Sequence, residues 1–168
     1  RFLESEGLVG AGAQQVVVVA ARRALDEYFR HSAYICQPNR SFQPCDYIAF
    51  YADGKIDRHI PRILATVESV VLDEQAIISD KGLREELKTQ LLALVRDLQA
   101  EGSFRVDEAQ KVMFLSSSDS DDTLLLPHDI ENDLLSDSGR TIAFTQGQRY
   151  VPLDKLLAAP LTTSELLE

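Results

Sequence analysis

Six consecutive residues, Gln37-Pro38-Asn39-Arg40-Ser41-Phe42, hold two amides, a guanidinium, a hydroxyl and an aromatic ring. These groups suit a flat, hydrogen-bonding, anionic ligand. Amides and a hydroxyl read the edge of a base, a ring stacks on its face, and a guanidinium grips phosphate bidentately. The plainer reading is a tight loop whose Asn and Ser satisfy their own backbone. Turn chemistry has no need of Arg40 or Phe42, however. A second cluster, Phe144-Thr145-Gln146-Gly147-Gln148-Arg149-Tyr150, has the same character. There Gln146, Gln148, Arg149 and Tyr150 are candidate contacts, against the plainer reading of a Gly-tipped hairpin turn.

Catalytic chemistry finds no complete set of residues. The chain contains no G-x-S-x-G elbow, and neither Cys36 nor Cys45 has a neighbouring His in sequence. Asp107, Glu108 and Lys111, or Asp73, Glu74 and Lys81, have the composition of a metal-dependent nuclease site. Both sets equally fit solvated element boundaries. Asp119-Ser120-Asp121-Asp122 lacks the Gly and distal Glu of a calcium loop. No cysteine stands at C-x-x-C spacing and the three histidines are scattered, so no metal and no cofactor is expected. Gly10-Ala11-Gly12 precedes a strand, the wrong order for a dinucleotide-binding turn.

The 168 residues carry a net charge of −10, which argues against indiscriminate binding to nucleic acid. That charge is uneven. From Arg22 to Arg62 seven basic residues face five acidic ones, whereas Asp119 to Asp137 holds seven acids and no base. A neutral-to-basic third against an acidic remainder fits a selective anionic ligand. The acidic stretch could instead dock a basic protein. At 45% hydrophobic and 26% charged the chain has a globular composition, with no apolar run long enough for a bilayer and no membrane partner expected. A spacing of nine permits a Cys36–Cys45 disulfide, but two thiols in a domain this size point to a reducing compartment, and the reading is cytoplasmic. The opening Arg1 and the closing Leu167-Glu168, which resembles an affinity-tag remnant, both read as cuts from a longer protein.

The elements that would position these residues follow from periodicity. Residues 1–13 read as a flexible lead-in to a single domain over 14–166. Gln15–Ala20 is a β-branched run and a buried strand, followed by a short amphipathic helix over 22–31. Strands are expected at 33–37, 46–52, 55–60 and 62–72, with Asp53-Gly54 turning a hairpin. Leu83, Leu87, Leu91, Leu94 and Leu98 predict a helix over 81–101, with Asp80 as N-cap and Gly102 past its end. Further strands are expected at 111–115 and 123–126. Residues 141–144 and 149–151 are expected to pair with each other as a hairpin. Without regular βαβ alternation, the pattern is α+β with a mostly antiparallel, barrel-like sheet and flanking helices.

The segment DYIAFYADGKIDRHIPRILATVESVV, Asp46 to Val71, resembles the PUA-like superfamily, in particular its EVE, YTH and ASCH branches. Pro44-Cys45-Asp46 stands where those domains have Pro-Gly-Asp, Tyr47–Tyr51 matches their central strand, and Val67–Val70 the next. FTQGQRYVPLDKLL, Phe144 to Leu157, is similar to their late strand and terminal turn. The resemblance implies a small twisted β-barrel that binds RNA or DNA, often a modified or flipped base held beside the barrel. With no Trp in the chain, an aromatic cage would draw on Phe42, Tyr47 and Tyr51. The expected function is non-catalytic recognition of nucleic acid or a nucleotide-like ligand through Gln37, Asn39, Arg40, Ser41 and Phe42, as a module of a larger nuclease or defence protein.

Overall fold

The computed structural model describes residues 14–168, and the lead-in expected over 1–13 lies outside them. Two sheets pack face to face, and helices cover their outer faces. The first sheet runs β10-β1-β3-β4-β9, where β1 is Gln15–Ala20, β3 Tyr47–Ala52, β4 Lys55–Ile56, β9 Ile130–Glu131 and β10 Gln148–Pro152. It curls into a half-barrel within an α+β fold. The second runs β2-β7-β6, where β2 is Ala33–Cys36, β6 Ile63–Val71 and β7 Ala109–Leu115. A two-stranded ribbon joins β5 (His59–Ile60) to β8 (Leu124–Leu125).

The valine run explains the layering. Val16 to Val19 are all fully buried, because alternate side chains enter two different cores. Val16 and Val18 face a cluster with Ile130, Phe144 and Leu156, beneath α4 (Leu153–Leu157) and α5 (Thr163–Leu166). Val17 and Val19 face the interior between the sheets, where α1 (Ala24–His31) contributes Tyr28 and the second sheet Tyr34, Cys36 and Met113. The second sheet alternates likewise. Ala33, Ile35, Val67 and Val112 meet Leu91, Leu94, Val95 and Leu98 of α3 (Glu85–Ala100) in a third cluster.

Every strand pairing is antiparallel except β1 with β3, which is parallel. A strand buried on both faces must also satisfy both edges, and β10 supplies the second edge of β1, pairing Val17 with Tyr150. This overturns the expected hairpin of 141–144 with 149–151. Phe144 is instead drawn into the core under β1, and Thr141 makes only an isolated bridge to Leu135. The strand expected over 55–60 divides between two sheets. The Asp57 carboxylate accepts the His59 N–H (2.9 Å) at the corner.

Local signals held elsewhere. Asp53 and Gly54, both at positive φ, turn β3 into β4. Gly102, at φ 72°, ends α3 in a Schellman motif, its N–H bonding Gln99 O and that of Ser103 bonding Leu98 O. The helix begins at Glu85 rather than Lys81, because Asp80 accepts the Gly82 N–H (2.8 Å) in a turn instead of capping the helix. A short α2, Glu74–Ile78, capped by Asp73, precedes it. The acidic stretch is partly built in. Ile130 is fully buried, and Asp129 pairs with Lys55 (3.3 Å). No described helix is long and apolar enough to cross a membrane.

Candidate functional site

The two polar clusters of the sequence meet. Period-two alternation in β10 sends Gln148 and Tyr150 toward the 37–42 loop and Arg149 to the other face. Arg40 is the centre of the junction. Its Nε donates to Gln148 Oε1 (2.9 Å), one terminal nitrogen to the Tyr34 hydroxyl and the other to Gly147 O (2.9 Å). Gln148 Nε2 in turn donates to Ser41 O (3.0 Å) and to the Tyr150 hydroxyl (2.9 Å), which also accepts the Gln43 N–H (2.9 Å). Phe42 lies edge-on to Tyr34, with Arg40 and Lys111 over its ring at 5.1 and 5.0 Å. Lys111 is buried, and its ammonium donates to Glu68 (2.9 Å) and Arg40 O (3.0 Å). The junction is thus a satisfied network in which most polar groups are committed to one another.

Other candidates sit apart from it. Tyr47 and Tyr51 pack on the opposite face of β3 from Phe42, so the three do not share a cage. The Tyr51 hydroxyl accepts from Asn132 (3.2 Å). Arg149 donates to Phe144 O (3.1 Å) and lies 4.5 Å over its ring. Asn39 and Gln146 are exposed.

Beside the junction opens a cavity of about 340 Å³. Its floor is Ala21, Ala24 and Cys36, all buried, and Tyr34, Gln37 and Arg40 form the wall shared with the junction. Arg22 and Arg23 lie on the turn from β1 into α1, exposed, and among the described residues neither pairs with a carboxylate. Phe104 and Arg105 arrive from the turn after α3. Phe104 is 59% exposed, with Arg23 5.0 Å and Arg105 4.8 Å from its ring centroid. The result is a pit floored by small buried side chains and rimmed by guanidinium groups and one exposed aromatic ring, on a chain of net charge −10.

Burial pushes the Tyr34 hydroxyl up to about 12, although Arg40 beside it pulls the other way. Burial likewise raises the Cys36 thiol, so the floor presents a neutral, soft SH. Both cysteines are free. Cys45 lines a separate cavity of about 150 Å³ with Phe42, Lys111 and Met113.

Compared with known proteins, the chain matches no family model, no curated protein and no solved structure. The site therefore rests on its own geometry. Among the described residues no group of three His, Cys, Asp or Glu is placed to hold a metal ion. Asp73 caps α2, Glu74 pairs with Arg96 (3.3 Å), and Lys111 is engaged as above, away from either carboxylate set. Phe104, Arg105, Tyr34 and Cys36 escaped the reading of the sequence. Arg22-Arg23, at the end of a buried strand and the start of a helix, was the one local signal of the mouth, and it registered only as charge.

Proposed function

We propose that this domain recognises nucleic acid or a nucleotide-like ligand, without catalysing a reaction on it. A flat base enters the cavity, and the flanking phosphates rest on the arginine rim. The observation that carries this reading is the make-up of the cavity itself: the small buried side chains of Ala21, Ala24 and Cys36 beneath the exposed guanidinium groups of Arg22 and Arg23. Such a pit fits a ligand that is planar and apolar at one end and anionic at the other. Its volume lies at the small end of ordinary ligand sites, roughly 300–1,000 Å³. The exposed Phe104 ring offers a stacking platform for a neighbouring base once the Arg23 guanidinium swings off it to a phosphate. We extend the reading to a PUA-like domain serving a larger nuclease or defence protein. Its support is the half-barrel with β3 as its middle strand, in the position that Tyr47–Tyr51 occupies in the resemblance.

The two thiols provide the test, since one lines each cavity. Alkylation rates of Cys36 and Cys45 are compared with and without single-stranded oligonucleotides and mononucleotides, while anisotropy follows binding. Ligand that occupies the pit slows Cys36 alone. If no nucleic acid or nucleotide binds, or if binding leaves Cys36 as reactive as before, the reading fails.

A further inference from the structure

One buried acid sits behind the basic mouth. Glu27, on α1, is 3% exposed and faces Arg105 in a two-pronged pair, with Arg105 Nε to Oε2 at 2.7 Å and a terminal nitrogen to Oε1 at 3.0 Å. The other terminal nitrogen donates to Gln110 Oε1 (3.0 Å). All three nitrogens of the guanidinium are therefore fixed, with its plane against Phe104 at 4.8 Å and Arg23 also over that ring at 5.0 Å. Arg105 and Phe104 come from an irregular turn with Asp107 at φ 67°, which regular secondary structure does not hold in place. Its backbone is tied down by Asp107 N–H to Leu72 O (2.9 Å) and Leu72 N–H to Glu108 O (3.0 Å), while Glu27 fixes the Arg105 side chain that Phe104 rests against.

We propose that Glu27 is the positioning residue of the ligand site. It clamps the Arg105 guanidinium by its fork and, through it, holds the Phe104 ring at the cavity mouth. The inference rests on the nucleotide reading above and adds to it the determinant that converts loose positive charge into an oriented receptor. The physical logic separates this role from a merely electrostatic one by sign. Removing a carboxylate beside a cationic cavity strengthens its pull on an anion by Coulomb's law alone. Removing a positioning residue weakens binding despite that gain, because an aromatic ring held at the mouth stacks on a base and a wandering one does not.

The experiment measures the affinity of a fluorescein-labelled oligothymidylate for the wild type and for Glu27→Gln, Arg105→Lys and Arg23→Ala. Glu27→Gln keeps the shape and removes the charge. It is expected to bind roughly tenfold more weakly, the loss of about one charge-assisted hydrogen bond. Arg105→Lys, which keeps the charge and loses the fork, should fall by the same factor and needs no buried acid removed. Unchanged or tighter binding by Glu27→Gln, alongside a loss in Arg23→Ala, overturns the positioning role and leaves the site standing. If the wild type itself does not bind, the nucleotide reading falls. The clip is then judged by the Arg105 Nε–H resonance, sharp and slow to exchange in the wild type and averaged in Glu27→Gln. An identical signal in both proteins overturns the inference without reference to any ligand.

Discussion

Arg40 and Arg23 both line the same cavity, yet they do different work. Arg40 has three of its N–H groups committed to Gln148, Tyr34 and Gly147, and it joins segments 107 and 108 residues apart. Arg23 stands exposed with only the face of Phe104 beneath it. The contrast extends to their surroundings. The junction of the 37–42 loop with β10 is a closed network, whereas at the mouth Arg22, Arg23 and Phe104 face solvent and only Arg105 is tied down, by Glu27. Polar side chains that satisfy each other hold a fold together. Those left facing a cavity are available to something else. Arginine-rich sequence alone does not distinguish the two cases.

The sharpest way to break that comparison is Arg40→Ala. It removes three hydrogen bonds at once and is expected to cost about 2–3 kcal/mol of stability. A denaturant midpoint unchanged from wild type would deny the junction its structural role.

Next in size is an alkaline effect from the same junction. Tyr34 ionises near 10 when unfolded and is pushed up to about 12 by burial. The fold therefore favours its neutral form. Stability from this source is full below pH 10 and falls as pH rises from 10 towards 12, by up to roughly 2–3 kcal/mol for two pH units. Cys36, also raised, acts in the same direction. Tyr34→Phe should flatten the decline in melts across this range, and a slope equal to that of wild type would assign it elsewhere.

At the mouth the order reverses, with large effects on binding and small ones on stability. Arg22→Ala with Arg23→Ala should weaken oligonucleotide binding roughly thirtyfold and make the log–log salt slope shallower by about 1.4. Stability should stay within about 0.5 kcal/mol. Phe104→Ala, the smallest change, should cost roughly fivefold in affinity for single strands through lost stacking. A matching loss for inorganic phosphate would place its role in the fold of the mouth instead.

What the sequence made legible was local. The valine run announced a buried strand, Asp53-Gly54 the hairpin of β3 with β4, and Gly102 the end of α3. Misreadings occurred where local and distant demands competed. Gly82 and the turn-forming Asp80 delayed the start of α3, and the open edge of β1 took β10 away from residues 141–144. Half of the candidate site was legible in the same sense. Arg40, Gln148 and Tyr150 were singled out by composition and do meet, but composition could not tell that they would neutralise one another's hydrogen-bonding capacity.

By itself, then, the sequence determined which residues are apolar at period two or 3.6, where the chain can turn, and that positive charge gathers between Arg22 and Arg62. These depend on neighbours within a few residues. Only the tertiary structure decided which arginines remain open and which are bound, because their partners lie far along the chain. Glu27 and Arg105 are 78 residues apart, and Arg40 meets Gln148 across 108. A charge acquires a function only when the fold has settled what else it can reach.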